Sequence, residues 1–144
     1  MITSVPADRW DQARYWHPEM GVRGKTYTFA AGIMDDAFGF DAGLFGISQR
    51  EAQLMDPQQR LILQLAWRAL ESANIDYLDL RKQRVGVYVG ASALDHGNLI
   101  VEDPAAAGPH FMTGNTLSIV SNRISHAFGL NGPSLTVDTA CSSS

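Results

Sequence analysis

The chain has 144 residues, of which 45% are hydrophobic and 18% are charged, and its formal net charge is −4. This composition is typical of one globular domain with a hydrophobic core. The negative charge argues against a general nucleic-acid-binding surface. Because the sequence has no apolar run of about 18 residues and no signal-peptide pattern at its start, we expect a cytoplasmic protein without membrane contact.

The first part of the chain, from Met1 to about Arg50, contains six glycines that interrupt any long periodic pattern. We therefore expect an extended, irregular region. A loop of this length is uncommon inside a compact domain, so it predicts packing against a surface that this sequence does not supply. We expect the chain to begin partway into a fold.

Asp56-Pro57-Gln58-Gln59 predicts the start of a helix. Aspartate is a favoured N-cap, proline is favoured at the first helical position, and Gln59 stands where a capping box places a glutamine. The helix should run to about Ala73 and end at Asn74. It should expose Gln64, Arg68, Glu71 and Ser72, and mostly bury Leu61, Leu63, Leu65, Ala66, Trp67, Ala69 and Leu70.

The rest of the chain predicts two strands and a second helix. Arg84 to Gly90 is a β-branched run edged by glycines that permit close backbone approach, which predicts a buried strand. A polar loop should follow to about Pro109, and then a helix from Thr113 to Phe128 that ends at a glycine. Ser134 to Thr139 is again strand-like. The alternation of helices and strands predicts an α/β layered architecture.

Cys141 is the single cysteine, so it cannot form a disulfide bond within the chain. It follows the second strand and precedes three serines, a context that predicts a sharp turn and the start of a helix. At a helix N-terminus, the dipole and the backbone N–H groups favour a thiolate and can stabilise an oxyanion. From the residues alone, Cys141 is either a nucleophile or a small buried apolar residue, and the second is the commoner role.

The residues around the cysteine, Val137 to Ser144, have the sequence VDTACSSS, which resembles the active-site signature of the β-ketoacyl synthases of modular polyketide synthases and fatty-acid synthases. Segments throughout the chain agree with this family in the same order: Val5 to Trp10, Phe40 to Ala52, Met55 to Leu61, Thr113 to Ser125 and Gly132 to Ser134. The resemblance therefore covers nearly the whole chain.

The resemblance implies a thiolase-like fold. Residues 1–144 would be a partial ketosynthase domain, the N-terminal portion of the layered α/β/α/β/α architecture, without the family's first strand and its C-terminal half. The resemblance also implies a homodimer, in which the strand from Ser134 to Thr139 lies at the subunit interface. The alternative is that Ser134 to Thr139 form a central strand within one subunit.

The resemblance further implies a decarboxylating Claisen condensation in polyketide or fatty-acid biosynthesis. Cys141 would accept an acyl chain as a thioester, with its own backbone N–H in the oxyanion hole. The substrates would arrive on the phosphopantetheine arm of an acyl carrier protein or domain, and we expect no directly bound cofactor or metal.

The family also uses two histidines from the later half of the fold, and the histidines of this chain do not stand in that sequence context. We expect His17, His96 and His110 to lie in loops without metal-ligand spacing, and His126 to be a packed or hydrogen-bonded residue of the second helix. The 144 residues alone are therefore expected to lack condensing activity.

Two alternatives to a condensing enzyme stay open at this point. The chain could be a catalytically incompetent remnant or assembly half that acts only by pairing with a complementary chain. It could also belong to a ketosynthase that passes acyl chains along without condensing them.

Overall fold

The computed structural model describes residues 2–101 and 108–143. The chain forms two compact units, an N-terminal unit that ends at Ala37 and a second unit that begins at Phe38. None of the helices in these described ranges has the length and apolar character needed to cross a lipid bilayer.

The N-terminal unit contains a two-stranded ribbon and one short helix. β1 (Ile2–Ser4) pairs antiparallel with β2 (Ala30–Gly32), with Thr3 opposite Ala31, and α1 (Gln12–Tyr15) lies between them in sequence. The prediction of an irregular region was wrong for these segments. Strands of three residues carry too little alternation to be detected in a sequence, and their pairing joins distant positions.

The second unit combines short helices with a parallel pair of strands. Its helices within the described residues are α2 (Gln49–Leu54), α3 (Pro57–Ser72), α4 (Tyr77–Leu80), α5 (His96–Val101), α6 (Phe111–Gly114) and α7 (Leu117–Phe128). β3 (Val87–Gly90) pairs with β4 (Ser134–Val137) in a register that places Tyr88 opposite Leu135. A parallel pair requires a crossover, and α7 packs against both strands and against α3. Both predicted strands are therefore confirmed over shorter ranges, but the predicted burial of β3 is wrong, because only Val87 of its four residues is buried.

Helix α3 begins and ends where the sequence predicts. The Asp56 carboxylate accepts a hydrogen bond from the backbone N–H of Gln58 at 2.8 Å, and Pro57 is the first helical residue. At the other end Asn74 has a φ of 53°, the left-handed conformation that closes many helices. Local signals at both ends are thus sufficient to place this helix.

The predicted capping box at Gln59 is wrong. Gln59 is fully buried: its Nε2 donates to the C=O of Thr113 at 3.1 Å, and its Oε1 accepts from Nε of Arg123 at 3.1 Å. The backbone N–H of Asp56, which a capping box would satisfy, donates to the C=O of Gly114 at 2.9 Å. Tertiary partners therefore replace the local one.

The hydrophobic core lies between α3, α7 and β3. Its buried members are Met55, Leu63, Val87, Ile124 and Phe128. Three aromatic rings surround the Phe128 ring at centroid distances of 5.9 to 6.4 Å, from Phe45, Trp67 and Tyr77. These contacts confirm that α3 and the second predicted helix each bury an apolar face.

The buried face of α3 is narrower than predicted. Leu65 is 57% exposed and Ala69 is also exposed, so both were wrongly assigned to the core. Gln64, predicted to be on the wet side, is half-buried, and its Nε2 donates to the C=O of Gly39 at 3.1 Å. The apolar composition of α3 therefore overstates its burial in this chain.

The second predicted helix consists of two helices, α6 and α7, with a break after Gly114. At the break, Nδ2 of Asn115 donates to the C=O of Leu54 at 2.8 Å. A β-carbon on Gly114 would lie 2.3 Å from that same carbonyl oxygen, so only glycine fits. Gly129, with a φ of 67°, ends α7 as predicted.

The loop predicted to extend to about Pro109 contains helix α5, which the sequence did not predict. Residues 102–107 of that loop lie outside the described residues. Helix α2 was also missed, although Ser48 caps it by accepting from the backbone N–H of Glu51 at 3.1 Å. Helices of one or two turns show too few periodic positions to stand out in a sequence.

Candidate functional site

Cys141 lies just beyond the carboxyl end of β4, in a segment that we call the thiol turn, residues Asp138 to Ser143. Ala140 to Ser142 form a single 3₁₀ turn, which confirms the predicted sharp turn. Cys141 is exposed, so its assignment as a buried apolar residue is excluded in this structure. The end of a parallel strand is a common position for a reactive side chain in α/β proteins.

The thiol turn holds its backbone in an uncommon conformation. Ala140 has a φ of 54°, in the left-handed region that non-glycine residues rarely adopt, at a cost on the order of 1 kcal/mol. The Asp138 carboxylate accepts from the backbone N–H of Ala140 at 2.9 Å, and Oγ of Ser143 accepts from the backbone N–H of Thr139 at 2.7 Å. These bonds offset the strain and fix the backbone on both sides of Cys141.

Gly90, the last residue of β3, lets the thiol turn approach the sheet closely. A β-carbon on Gly90 would lie 1.6 Å from the backbone oxygen of Ser143, far inside any van der Waals contact. The next residue, Ala91, donates its backbone N–H to the C=O of Val137 at 3.2 Å. The prediction that the glycines of this strand permit close backbone approach is confirmed here.

An open cavity of about 590 Å³ surrounds the thiol. Its walls come from the start of α3, the end of β3 and the thiol turn, and its lining residues are Gln58, Gly90, Ala91, Ser92, Asp138, Ala140, Cys141 and Ser143. This volume lies within the range of small-molecule binding clefts. The cavity therefore gives a substrate direct access to the sulfur of Cys141.

Gln58 is the contribution of α3 to this cavity, and the sequence analysis assigned it no role beyond helix initiation. Its Nε2 donates to Oδ1 of Asp56 at 3.3 Å and to the C=O of Ala93. The side chain thereby connects α3 to the segment that follows β3. Such a tertiary role has no signal in a sequence, because its partner lies 35 positions away.

A largely buried polar network lies between α2, α3, α6 and α7, with Gln59 fully buried and Thr113 at its exposed edge. Arg123 donates to Oε1 of Glu51, to Oε1 of Gln59 at 3.1 Å and to the C=O of Thr113 at 3.4 Å. The Arg123 and Glu51 side chains are only 12% and 19% exposed, so each charge depends on the other for compensation. We call Glu51, Gln59, Thr113 and Arg123 the polar core. No local pattern in the sequence indicates this network, because its members come from four separate helices.

Arg60 is a second buried cation that the sequence analysis missed. Its Nη1 donates to the C=O of Phe38 at 3.3 Å, and its guanidinium carbon lies 5.6 Å from the centre of the Phe38 ring. Burial lowers the pKa of Arg60, and the nearby Asp56 carboxylate partly offsets this shift. Arg60 therefore connects α3 to the segment at Phe38.

Three of the four histidines lie beside pockets other than the thiol cavity. His96 is the first residue of α5, so its predicted position in a loop is wrong, and His110 lies 3.9 Å from Oε2 of Glu51 at the start of α6. His126 was predicted to be packed or hydrogen-bonded, and its exposure shows that the packed alternative is wrong. His17 accepts from the backbone N–H of Glu19 at 3.2 Å. Across the described ranges, no three His, Cys, Asp or Glu side chains are grouped to hold a metal ion.

Comparison with known proteins places this site in a family. The chain is 51% identical over 144 residues to polyketide synthase GfsB of Streptomyces halstedii, covering 99% of this chain and 3% of that protein. It is 46% identical over 144 residues to pikromycin polyketide synthase component PikAII of Streptomyces venezuelae, covering 99% of this chain and 4% of that protein. The chain thus spans a small part of these relatives.

Solved ketosynthase domains share the fold of the chain. The oxazolomycin ketosynthase domain OzmH KS7 of Streptomyces albus aligns with a TM-score of 0.87 and 36% identity, over 99% of this chain and 24% of that one. The ketosynthase from module 6 of the bacillaene synthase of Bacillus subtilis 168 aligns with a TM-score of 0.80 and 33% identity, over 99% and 22%. Ketosynthase domains have the thiolase-like fold, which confirms the predicted fold class.

A comparison with protein-family models gives the same result as the related sequences and the solved structures. The model of the family described as "Beta-ketoacyl synthase, N-terminal domain" matches residues 1–144. The relatives identified by sequence are polyketide synthases, and those identified by structure are ketosynthase domains. The chain therefore belongs to the β-ketoacyl synthase family, within its N-terminal domain.

Proposed function

We propose that Cys141 is the acyl-accepting nucleophile of a condensing acyltransferase in polyketide biosynthesis. The observation that carries this proposal is the position of Cys141, exposed to an open cavity on a turn that Gly90, Asp138 and Ser143 hold in one conformation. Fixing a nucleophile before the substrate arrives lowers the entropic part of the barrier.

The first step that we propose is a transthioesterification, in which the acyl group moves from the carrier thiol to Cys141. The thiolate sulfur of Cys141 attacks the carbonyl carbon of an acyl thioester, and a carbon–sulfur bond forms as the carbonyl oxygen takes up negative charge. The backbone N–H of Cys141 donates to this oxyanion. Collapse of the tetrahedral intermediate expels the thiolate of the phosphopantetheine arm and leaves the acyl chain on Cys141.

The second step is the condensation itself. A malonyl-type extender on the carrier protein loses carbon dioxide, and the resulting enolate carbon attacks the acyl carbon on Cys141 and expels its thiolate. Proton handling in this step requires groups other than the three histidines of the second unit, because His96, His110 and His126 line other pockets. We infer that residues outside this chain supply them.

The exposed apolar face of the β3–β4 sheet is the surface at which we propose contacts with further structure. One face of this sheet packs on α7, while Tyr88, Leu135 and Val137 expose apolar side chains on the other face. An exposed apolar face of a sheet is typical of a surface that another element covers. We propose that further ketosynthase structure covers this face and that β4 lies at the interface of a homodimer.

The same exposed face favours a second candidate function, in which the chain acts only by pairing with a complementary polypeptide. This alternative differs from the first in a measurable way, because it assigns no chemistry to Cys141. A pairing protein would keep its assembly state and its biological activity after Cys141→Ala, whereas a condensing enzyme would lose product formation entirely.

Transfer of an acyl group to the protein tests the proposed function. The full-length protein that carries this chain is incubated with propionyl N-acetylcysteamine thioester, and the modified residue is identified by peptide mass spectrometry. We expect one propionyl group on Cys141 and none in the Cys141→Ala variant. A label at another residue, or an unchanged level of labelling in the variant, would refute the assignment.

A further inference from the structure

The thiol cavity has a neighbour with which it shares a single wall residue. A pocket of about 490 Å³ is lined by Phe38, Asp56, Pro57, Gln58, Asp95, His96 and Asn98. Gln58 is the one residue that lines both this second pocket and the thiol cavity, within the described part of the chain. The Phe38 ring and the Pro57 ring give the second pocket large apolar surfaces, whereas the apolar lining of the thiol cavity comes from small residues such as Ala91 and Ala140.

Hydrogen bonds hold the Gln58 side chain between the two spaces. Its amide nitrogen donates to Oδ1 of Asp56 on its own helix and to the C=O of Ala93 in the segment after β3. Ala91 and Ser92, before this anchor, line the thiol cavity, while Asp95 and His96, after it, line the second pocket. The hydrogen bond from Gln58 to Ala93, which we call the bridge, therefore lies at the boundary between the thiol cavity and the second pocket.

We propose that Gln58 is a specificity-determining residue that limits the length of the acyl chain that Cys141 can carry. The proposal rests on the acyl-accepting role proposed for Cys141. An acyl group bound to the sulfur extends into the thiol cavity, and the bridge from Gln58 to Ala93 closes its path to the apolar surface of Phe38 and Pro57. A chain that passed this bridge would bury additional methylene groups there.

Two substitutions open the bridge by different means. Gln58→Ala removes the amide and the carbons that carry it, so the two spaces merge. Gln58→Glu keeps nearly the same volume but replaces the donor with a carboxylate, which repels Asp56 and cannot donate to the C=O of Ala93. If both variants have the same effect, its cause is the loss of the hydrogen bond to Ala93, because Gln58→Glu leaves the side-chain volume nearly unchanged.

The experiment compares acetyl and octanoyl N-acetylcysteamine thioesters as acyl donors to the full-length protein, and follows the rate of acylation at Cys141 by mass spectrometry. We expect both Gln58 variants to raise the ratio of octanoyl to acetyl rates by roughly tenfold, the effect on the order of burying two further methylene groups. Because a general change in the reactivity of Cys141 alters both rates together, the acetyl rate serves as the internal reference for this ratio.

Gln64→Ala is the matched control, because Gln64 lies on the same helix and also donates from Nε2 to a loop carbonyl, that of Gly39. Gln64 lines neither pocket, so this variant should keep the wild-type ratio. An unchanged ratio in both Gln58 variants, with Cys141 still acylated, overturns the role of Gln58 and leaves the proposed function intact. Absence of acylation in the wild-type protein overturns both proposals.

Discussion

The polar core and the thiol turn are both built from polar residues, but they differ in what surrounds them. In the polar core, Arg123 and Glu51 are largely shielded from solvent and depend on each other. In the thiol turn, the hydrogen bonds that hold Ala140 in its left-handed conformation lie at the surface, beside an open cavity. Burial makes the first arrangement important for stability, and access makes the second one suitable for chemistry.

This difference implies that the two regions respond differently to substitution. Changes in the polar core should lower the stability of the fold and leave the acylation rate of each folded molecule nearly unchanged. Changes in the thiol turn should lower the acylation rate with little effect on stability. The first two of the following predictions test this separation and the third tests the N-cap of α3, in order from the largest effect to the smallest.

Arg123→Ala should have the largest effect on stability. It leaves the buried Glu51 carboxylate without its cation and Gln59 without a donor, and breaking a buried pair in this way costs about 3 to 5 kcal/mol. We expect a loss of this size in the free energy of unfolding, measured by urea denaturation. The exposed Arg68 provides the control, and Arg68→Ala should change the free energy by less than about 0.5 kcal/mol. Equal losses of unfolding free energy in the two variants would show that the polar core does not stabilise the fold.

Gly90→Ala should have the largest effect on acylation. The added methyl group would lie 1.6 Å from the backbone oxygen of Ser143, so the thiol turn must move, and displacements of this kind can cost on the order of a hundredfold in rate. The rate of propionyl transfer to Cys141 measures the effect. A β-carbon on Gly32 meets no atom within 4 Å, so Gly32→Ala serves as the control and should keep the wild-type rate. A wild-type rate in Gly90→Ala would show that the turn does not position the thiol.

Asp56→Ala should have a smaller effect on stability than Arg123→Ala. It removes the N-cap of α3, a partner of the Gln58 side chain and the carboxylate that offsets the buried charge of Arg60, and the loss of the N-cap alone costs about 1 kcal/mol. Asp76→Ala removes the exposed N-cap of the shorter helix α4 and should cost less. Thermal unfolding of both variants measures this order, and a larger loss for Asp76→Ala would contradict it.

The sequence predicted best what depends on neighbouring residues. The start of α3 at Asp56, its end at Asn74 and the glycine that ends α7 each follow from side-chain or backbone preferences within a few positions. The turn at Cys141 was predicted for the same reason. The chemical role proposed for Cys141 needs more than this local signal, because the residues alone leave a lone cysteine ambiguous, and its exposed position adds to the family signature.

The features that the sequence did not predict depend on distant partners. Gln59 has the right spacing for a capping box, yet its hydrogen bonds go to Thr113 and Arg123, more than 50 positions away. Gln58 was likewise assigned only to helix initiation, although its side chain reaches Ala93. Leu65 was assigned to the core by its apolar character, and its exposure depends on which elements pack against α3. Such contacts become visible only in three dimensions.

The central claim is that the folded thiol turn makes Cys141 a better acyl acceptor than the same residues are in a free chain. The most direct measurement compares the propionylation rate of Cys141 in the full-length protein with that of a synthetic peptide spanning Val137 to Ser143, at the same pH, temperature and salt concentration. We predict that the folded protein reacts at least roughly a hundredfold faster, because only there are the thiol and the oxyanion donor held in place. Equal rates in protein and peptide would contradict the claim.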